Sequence, residues 1–310
     1  MASAPLCGSA EEQLEYASSA VGIRNALLVA LAVLAVVFIA GWQRAAALGV
    51  STERRGTQRP SLLQLAIGFV TNFFDTLGIG SFATTTAIYK LLRVVADECL
   101  VGTLLIGHSL PVVAQAFIFL VVVEVDPRVL AMLIAISVLG SWLGAGVASR
   151  LRRRPIQVGM GIGLFAAAVF MMMSQLGLFP AGGTALTLTS GKLVIALAVN
   201  FILGATLTLG IGSYAPSLIL FSMLGMDPRA AFPIMMGSGA MMAMAGGLRF
   251  MKAGRFDSRA ALGLTLGGIP AVLLAGLVVQ SLPLDVLRWV IVVVVIYAAT
   301  TMLRSSQSGR

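Results

Sequence analysis

The sequence predicts an all-α protein threaded repeatedly through a membrane. One N-terminal helix precedes two related helical units of opposite orientation. Each unit opens with a broken, glycine-tipped hairpin and continues with three transmembrane helices. Three observations predict this. Hydrophobic residues make up 58% of the 310 and charged residues 11%, where a soluble domain holds about 45–50% and about 25%. The apolar residues are gathered into long runs, and about 20 in a row suffice to span a bilayer. Finally, the segment Leu77-Gly-Ile-Gly-Ser-Phe-Ala83 returns as Leu209-Gly-Ile-Gly-Ser-Tyr-Ala215.

The same composition excludes a soluble globular enzyme, a disordered chain and a disulfide scaffold. The net charge of +9 does not indicate nucleic acid, because the charges stand between apolar runs, as loop lysines and arginines of a membrane protein do. Cys7 and Cys99 are far apart, and His108 is the sole histidine. These residues cannot assemble a zinc or cluster site, so no metal and no cofactor is expected.

The elements follow in order. Asn25–Trp42 is too long for a signal-peptide core, and its basic residues follow it, so it is expected to be a retained anchor. After a linker to Pro60, Ser61–Arg93 is apolar but interrupted at Gly78-Ile79-Gly80-Ser81. Three plain spans come next, Cys99–Val123, Val129–Ser149 and Pro155–Leu176. The polar stretch Gly177–Ser190 separates these from a second interrupted run, Lys192–Leu224, broken at Gly210-Ile211-Gly212-Ser213. Ala230–Leu248, Ala260–Ser281 and Leu284–Leu303 complete the chain. The expected organisation is therefore residues 1–60 as tail, anchor and cytoplasmic linker, 61–176 as the first repeat, 177–191 as an extracytoplasmic linker, and 192–310 as the second repeat and tail.

Loop charges orient the spans. Arg44, Arg54, Arg55 and Arg59, then Lys90 and Arg93, then Arg150, Arg152, Arg153 and Arg154, then Arg249, Lys252, Arg255 and Arg259, and finally Arg304 and Arg310 hold most of the positive charge. Placing them in the cytoplasm leaves the N-terminus, with Glu11, Glu12 and Glu15, outside and the C-terminus inside. The first interrupted run then begins and ends inside, and the second begins and ends outside. Each must be a hairpin. The helix after each break has about a dozen residues, or roughly 18 Å, against a core about 30 Å thick. Re-entrant hairpins with their tips inside the bilayer fit this length. Two full crossings with a tight turn are the alternative. Inverted repeats with broken helices at the midplane are a hallmark of secondary transporters.

Backbone without helical partners is tolerated at membrane depth only where it is buried in protein or lines a cavity. Glycine permits the sharp turn, and Ser81 and Ser213 stand where an N-cap is wanted, ahead of Phe82–Leu92 and Tyr214–Leu224. Helix starts carry free N–H groups and about half a positive charge, so two meeting near the midplane would attract an anion. The candidate binding residues are Gly78, Gly80, Ser81, Thr84 and Thr85 on the first hairpin. Gly210, Gly212, Ser213 and Tyr214 are their counterparts on the second, with Ser238 from the small-residue stretch Gly237-Ser238-Gly239. Thr86 and Ser217 offer further hydroxyls. Close helix packing at the glycines is the alternative reading.

Asp75 is the one acid outside loops and tails, and its counterpart in the second unit is Leu207. An intramembrane carboxyl beside an anion site points to proton coupling, or else to capping of the broken backbone. His108 lies mid-span and titrates near neutrality when unperturbed. It is a second candidate proton carrier, or a structural hydrogen-bonder. Asn72 and Asn200 precede the tips and are candidates to tie down freed carbonyls or to line the path. Met235, Met236, Met241, Met242 and Met244 lack the cysteine or histidine partners of a copper site, and are read as adaptable packing. No P-loop, Ser–His–Asp ordering or His-Glu-x-x-His is present, so neither ATP drive nor catalysis is expected.

Taken together, Gly210-Ile-Gly-Ser-Tyr-Ala-Pro216, Leu224-Gly-Met-Asp-Pro-Arg229, Gly237-Ser-Gly-Ala240 and Arg249-Phe-Met-Lys-Ala-Gly-Arg-Phe-Asp257 resemble the TauE/SafE sulfite exporter family, also called the 4-toluene sulfonate uptake permease (TSUP) family. That family carries, twice, a glycine-rich tip followed by proline, a small-residue helix and a basic loop with glycine. The resemblance covers about residues 61–303 and is closer in the second unit. Ser replaces the last of the family's three tip glycines in both copies, Thr84 stands where the second unit has Pro216, and the anchor is extra. The resemblance implies transport of sulfite, sulfonates or related sulfur-containing anions across a bacterial inner membrane.

The expected protein is thus a secondary permease. Its partners are a small anion, the lipid bilayer and protons, without nucleic acid. An anion channel, or a membrane partner of a sulfur enzyme without flux of its own, would use the same architecture.

Overall fold

Helix boundaries are written into the chain by its caps. The computed structural model describes residues 10–50, 59–77, 80–178 and 182–278, with Ile296 and Thr300. Gly78, Cys7, the tails and, but for those two residues, the expected last span lie outside the described residues. Ten described helices follow one another: α1 (Ala10–Ala47), α2 (Leu62–Thr76), α3 (Ser81–Leu92), α4 (Asp97–Val122), α5 (Pro127–Ala148), α6 (Arg153–Gln175), α7 (Ser190–Leu207), α8 (Tyr214–Met223), α9 (Pro228–Ala253) and α10 (Ser258–Val278). Six of them, α1, α4, α5, α7, α9 and α10, are long and apolar enough to cross a membrane. The chain is an all-helical polytopic membrane protein.

Ser61 and Gln64 form a capping box that starts α2. Asp126, Asp227 and Asp257 accept N–H groups of the first turns of α5, α9 and α10, with Pro127 and Pro228 at the first helical position of two of them. The aspartate caps start α5, α9 and α10 two residues before their apolar runs. Left-handed residues terminate the short helices at matching places. Arg93 follows α3 with φ 52° and Gly225 follows α8 with φ 84°, and one offset carries Leu77 onto Leu209 and Arg93 onto Gly225.

Helix pairing obeys a reciprocal rule. α2 packs on α10 and α7 on α5; α4 packs on α10 and α9 on α5; and α4 and α9 pack on each other at the centre. Glycines permit the closest approaches. A Cβ on Gly68 would lie 2.7 Å from the α-carbon of Leu264, and one on Gly204 would collide with the carbonyl of Ser137. Small residues at contacts are how helices associate where lipid removes the hydrophobic drive. Two hydroxyls join the pairs in equivalent ways, Thr265 to the Gly107 carbonyl at 2.8 Å and Ser141 to the Met242 carbonyl at 2.8 Å. The Gly107 carbonyl is free because Pro111, four residues on, has no N–H to give it. All five methionines of the α9 run are buried.

Contacts sort the helix termini into two ends. At one, Lys90 closing α3 and Arg153 opening α6 both bind Asp97 opening α4, at 2.7 and 3.0 Å. There too the Asp257 N–H reaches Thr103 at 2.9 Å, and Arg255 donates to the Leu151 carbonyl. At the other end, Thr187 donates to Asp126 at 2.9 Å, and Lys192 opening α7 donates to the Leu224 carbonyl closing α8 at 2.7 Å. α2 runs parallel to α10, with Gln64 beside Gly263 and Asn72 beside Gly268. α7 runs parallel to α5, with Phe201 beside Gly140 and Ala205 beside Gly144. The α2–α3 hairpin therefore opens toward the first end and the α7–α8 hairpin toward the second.

Candidate functional site

The first break is held by a carboxylate. α2 ends at Thr76, and Gly80 takes φ 84° before α3 starts at Ser81. The sequence suggested that the Ser81 side chain caps this helix. Instead Gly80 is the cap position and makes no side-chain cap bond. The acceptor comes from across the break, where Asp75 Oδ1 takes the Ser81 N–H at 2.6 Å. Gln115 of α4 donates from Nε2 to Asp75 Oδ2 at 3.1 Å and to the Thr76 hydroxyl oxygen at 2.9 Å. Its own Oε1 is buried without a partner. Sequence reasoning missed Gln115. The signal was present, since a polar side chain in the middle of an apolar span needs a reason.

The three threonines of α3 divide their roles. Thr84 bonds back to the Gly80 and Ser81 carbonyls at 3.0 and 2.9 Å. Thr85 is 3.0 Å from His108 Nε2. Thr86 is buried with an unpartnered hydroxyl. On its other side, His108 Nδ1 lies 2.9 Å from Asn72 Oδ1, while Asn72 Nδ2 donates to the Gly68 carbonyl at 2.7 Å. Because the amide nitrogen is spent on Gly68, Asn72 offers an acceptor to the ring. Nδ1 therefore carries the proton, and Nε2 accepts from Thr85 in the neutral tautomer. The Phe82 ring lies 5.6 Å from the imidazole. Asn72 and Asn200 both bond four residues back in their own helices, not to carbonyls freed at the breaks.

The second break is built differently. α7 runs to Leu207, and a turn through Thr208 and Leu209 brings Gly210 to φ 84°. Ser213 does occupy the N-cap position of α8 but makes no side-chain cap bond. Ile211 fits against Gly163 and Leu209 against Gly159, both on α6. Tyr214 packs edge-on against Phe232 at 6.1 Å, which in turn stacks on Phe119 at 5.5 Å. A Cβ on Gly212 would lie 3.8 Å from the Cβ of Phe82. The second tip thus meets the first turn of α3.

Most candidates come together here. Asp75, Gly80, Ser81, Thr84, Thr85 and His108 share one hydrogen-bonded neighbourhood, and Gly212 approaches it through Phe82, while Gly210 packs toward Met160 and Val101. Ser238 lies on α9 between Gly237, which packs on Ile134, and Gly239, which packs on Val112. Its hydroxyl is buried and unpartnered.

No curated protein and no solved structure matches the chain. The family model described as "Sulfite exporter TauE/SafE" matches residues 14–171 and 192–310. The match takes in the anchor helix as well as both hairpin units, and skips the linker between them. The family is one of membrane transporters of sulfur-containing anions, and this chain belongs to the TauE/SafE sulfite exporter family.

Proposed function

We propose that the chain is a secondary permease for a small sulfur-containing anion, sulfite, a sulfonate or a relative, working by alternating access in a bacterial inner membrane. Residues 61–176 and 192–310 act as two inverted copies of one unit, with the N-terminus outside and the C-terminus in the cytoplasm. The anion sits between the tips, against Gly78, Gly80, Ser81, Thr85, Gly210, Gly212, Ser213 and Tyr214, with Ser238 nearby. A proton gradient drives the cycle through Asp75 or His108.

The observation that carries this reading is the approach of Gly212 to Phe82. Two hairpins opening toward opposite ends meet at their broken turns, where helix starts favour negative charge. The reciprocal pairing of α2 with α10 and α7 with α5 is what two related, interleaved units would give, each lending its hairpin to helices of the other. The test is flux in proteoliposomes with sulfite, sulfate, thiosulfate and small sulfonates. At least one anion should move, and unlabelled anion trapped inside should draw labelled anion inward by exchange. A protein inert to all four classes would overturn the reading, and a conductance without exchange would make it a channel.

A further inference from the structure

The two hairpins differ in one chemical respect. The start of α3 is already met by a carboxyl group, since Asp75 Oδ1 accepts the Ser81 N–H at 2.6 Å. The matching position before α8 is Leu207, whose side chain has no acceptor, and Ser213 at the N-cap position of α8 makes no side-chain cap bond. Asp75 is 6% exposed and Gln115 fully buried. The Gln115 amide gives its nitrogen to Asp75 and Thr76 and leaves its oxygen orphaned beside them. A buried acceptor without a partner calls for an explanation. A carboxylic acid supplies one. When Asp75 is ionised it needs the donor of Gln115, and when it is protonated it needs an acceptor. Rotation of the amide offers its oxygen in place of its nitrogen.

We infer that the Asp75 carboxylate occupies the anion position at the start of α3 in the empty protein, and that a proton arriving on Asp75 releases the Ser81 N–H to the incoming anion, so that one proton and one anion are taken up together. This rests on the permease reading above. The proton comes from water and stays on the Asp75 carboxyl, and no covalent bond to the anion forms. Other titratable groups on the elements packed against α2 are accounted for. On α4, His108 is bonded at both nitrogens to Asn72 and Thr85, and Asp97, Glu98 and Cys99 lie in its first turn. On α3, Tyr89 and Lys90 lie in the last turn, and on α10 Arg259 lies in the first. Asp75 is therefore left as the group at the break whose charge opposes an anion there.

The test is binding calorimetry on the purified full-length protein with sulfate, thiosulfate, methanesulfonate and sulfite. Buffers of different ionisation enthalpy count the protons taken up, with sulfite's own ionisation accounted for. Wild type should take up about one proton per anion, and its affinity should fall about tenfold per pH unit where Asp75 is ionised in the empty state. Asp75→Asn should bind without proton uptake and without that pH dependence. Binding with no proton uptake in wild type, or uptake that persists in Asp75→Asn, would overturn the inference and leave the permease reading standing. Failure of wild type to bind any of the four would remove both. If Asp75→Asn does not fold, the wild-type stoichiometry decides alone.

Discussion

Asp75 and Ser81 are joined across the break between α2 and α3 by a 2.6 Å bond from backbone N–H to carboxylate. The break is thus a defined turn with its own acceptor. A helix start left open inside a membrane protein is costly unless something negative or polar meets its N–H groups. In the first hairpin the chain supplies that group itself. In the second, Leu207 stands at the matching position and Ser213 makes no side-chain cap bond.

Space between the tips should be tunable at Gly212. A methyl group there would meet Phe82 at an ordinary contact distance of 3.8 Å. Gly212→Ala should keep flux, whereas Gly212→Leu should abolish it while size-exclusion elution and helical circular dichroism stay unchanged. Normal flux through Gly212→Leu would move the path away from the tips.

The glycine contacts that pair the helices should behave as structure. Gly68→Ala and Gly204→Ala each push a methyl into backbone of the neighbouring helix, an overpacking that costs roughly 1–3 kcal/mol. Both should lower the melting temperature in detergent. Gly22→Ala and Gly191→Ala, where nothing stands within 4 Å, should not.

His108 should matter for stability and leave the proton count alone. Its ring bridges Asn72 and Thr85 at 2.9 and 3.0 Å, and His108→Ala orphans both partners at about 1–3 kcal/mol each. A lower melting temperature with an unchanged pH profile of flux is expected. A flattened profile would return the proton to His108.

At the end where α3, α4 and α6 meet, Asp97 is 5% exposed and holds Lys90, Arg153 and Gln157. Asp97→Asn strands Lys90, only 13% exposed, and breaking a buried pair costs about 3–5 kcal/mol. Arg153 is 64% exposed and belongs to the class of surface pairs worth about 0–1 kcal/mol. Thermal melts should therefore show a large loss for Asp97→Asn and a small one for Arg153→Ala.

The glycine breaks were legible in the sequence because polar and glycine residues stand out against apolar runs, and loop charge led to the expectation that the two hairpins open in opposite directions. Ser81 was misread as the cap on α3, because the acceptor lies six residues back across the turn; the alternative reading of Asp75, that it caps the broken backbone, is the one the 2.6 Å bond bears out. Gln115 was passed over because the polar residues weighed beside the first break were its neighbours in sequence, whereas Gln115 lies on α4, 40 residues beyond Asp75. The pairing of α2 with α10 and α7 with α5 was not legible at all. α2 has a polar face in Gln64, Thr71, Asn72 and Asp75, but a face does not name its partner, and the glycines that mark the contacts, Gly68, Gly140, Gly204 and Gly263, resemble any others until their neighbours are known.

Everything in the proposed mechanism requires the two tips to touch. Phe82 and Gly212 test this directly, because their 3.8 Å Cβ separation matches the mean of about 3.8 Å found in disulfides. With Cys7 and Cys99 replaced by serine and alanine, Phe82→Cys with Gly212→Cys should form an intramolecular disulfide under mild oxidation. Flux should stop on oxidation and return on reduction. Two thiols that never join, each labelled freely from its own side of the membrane, would contradict the account.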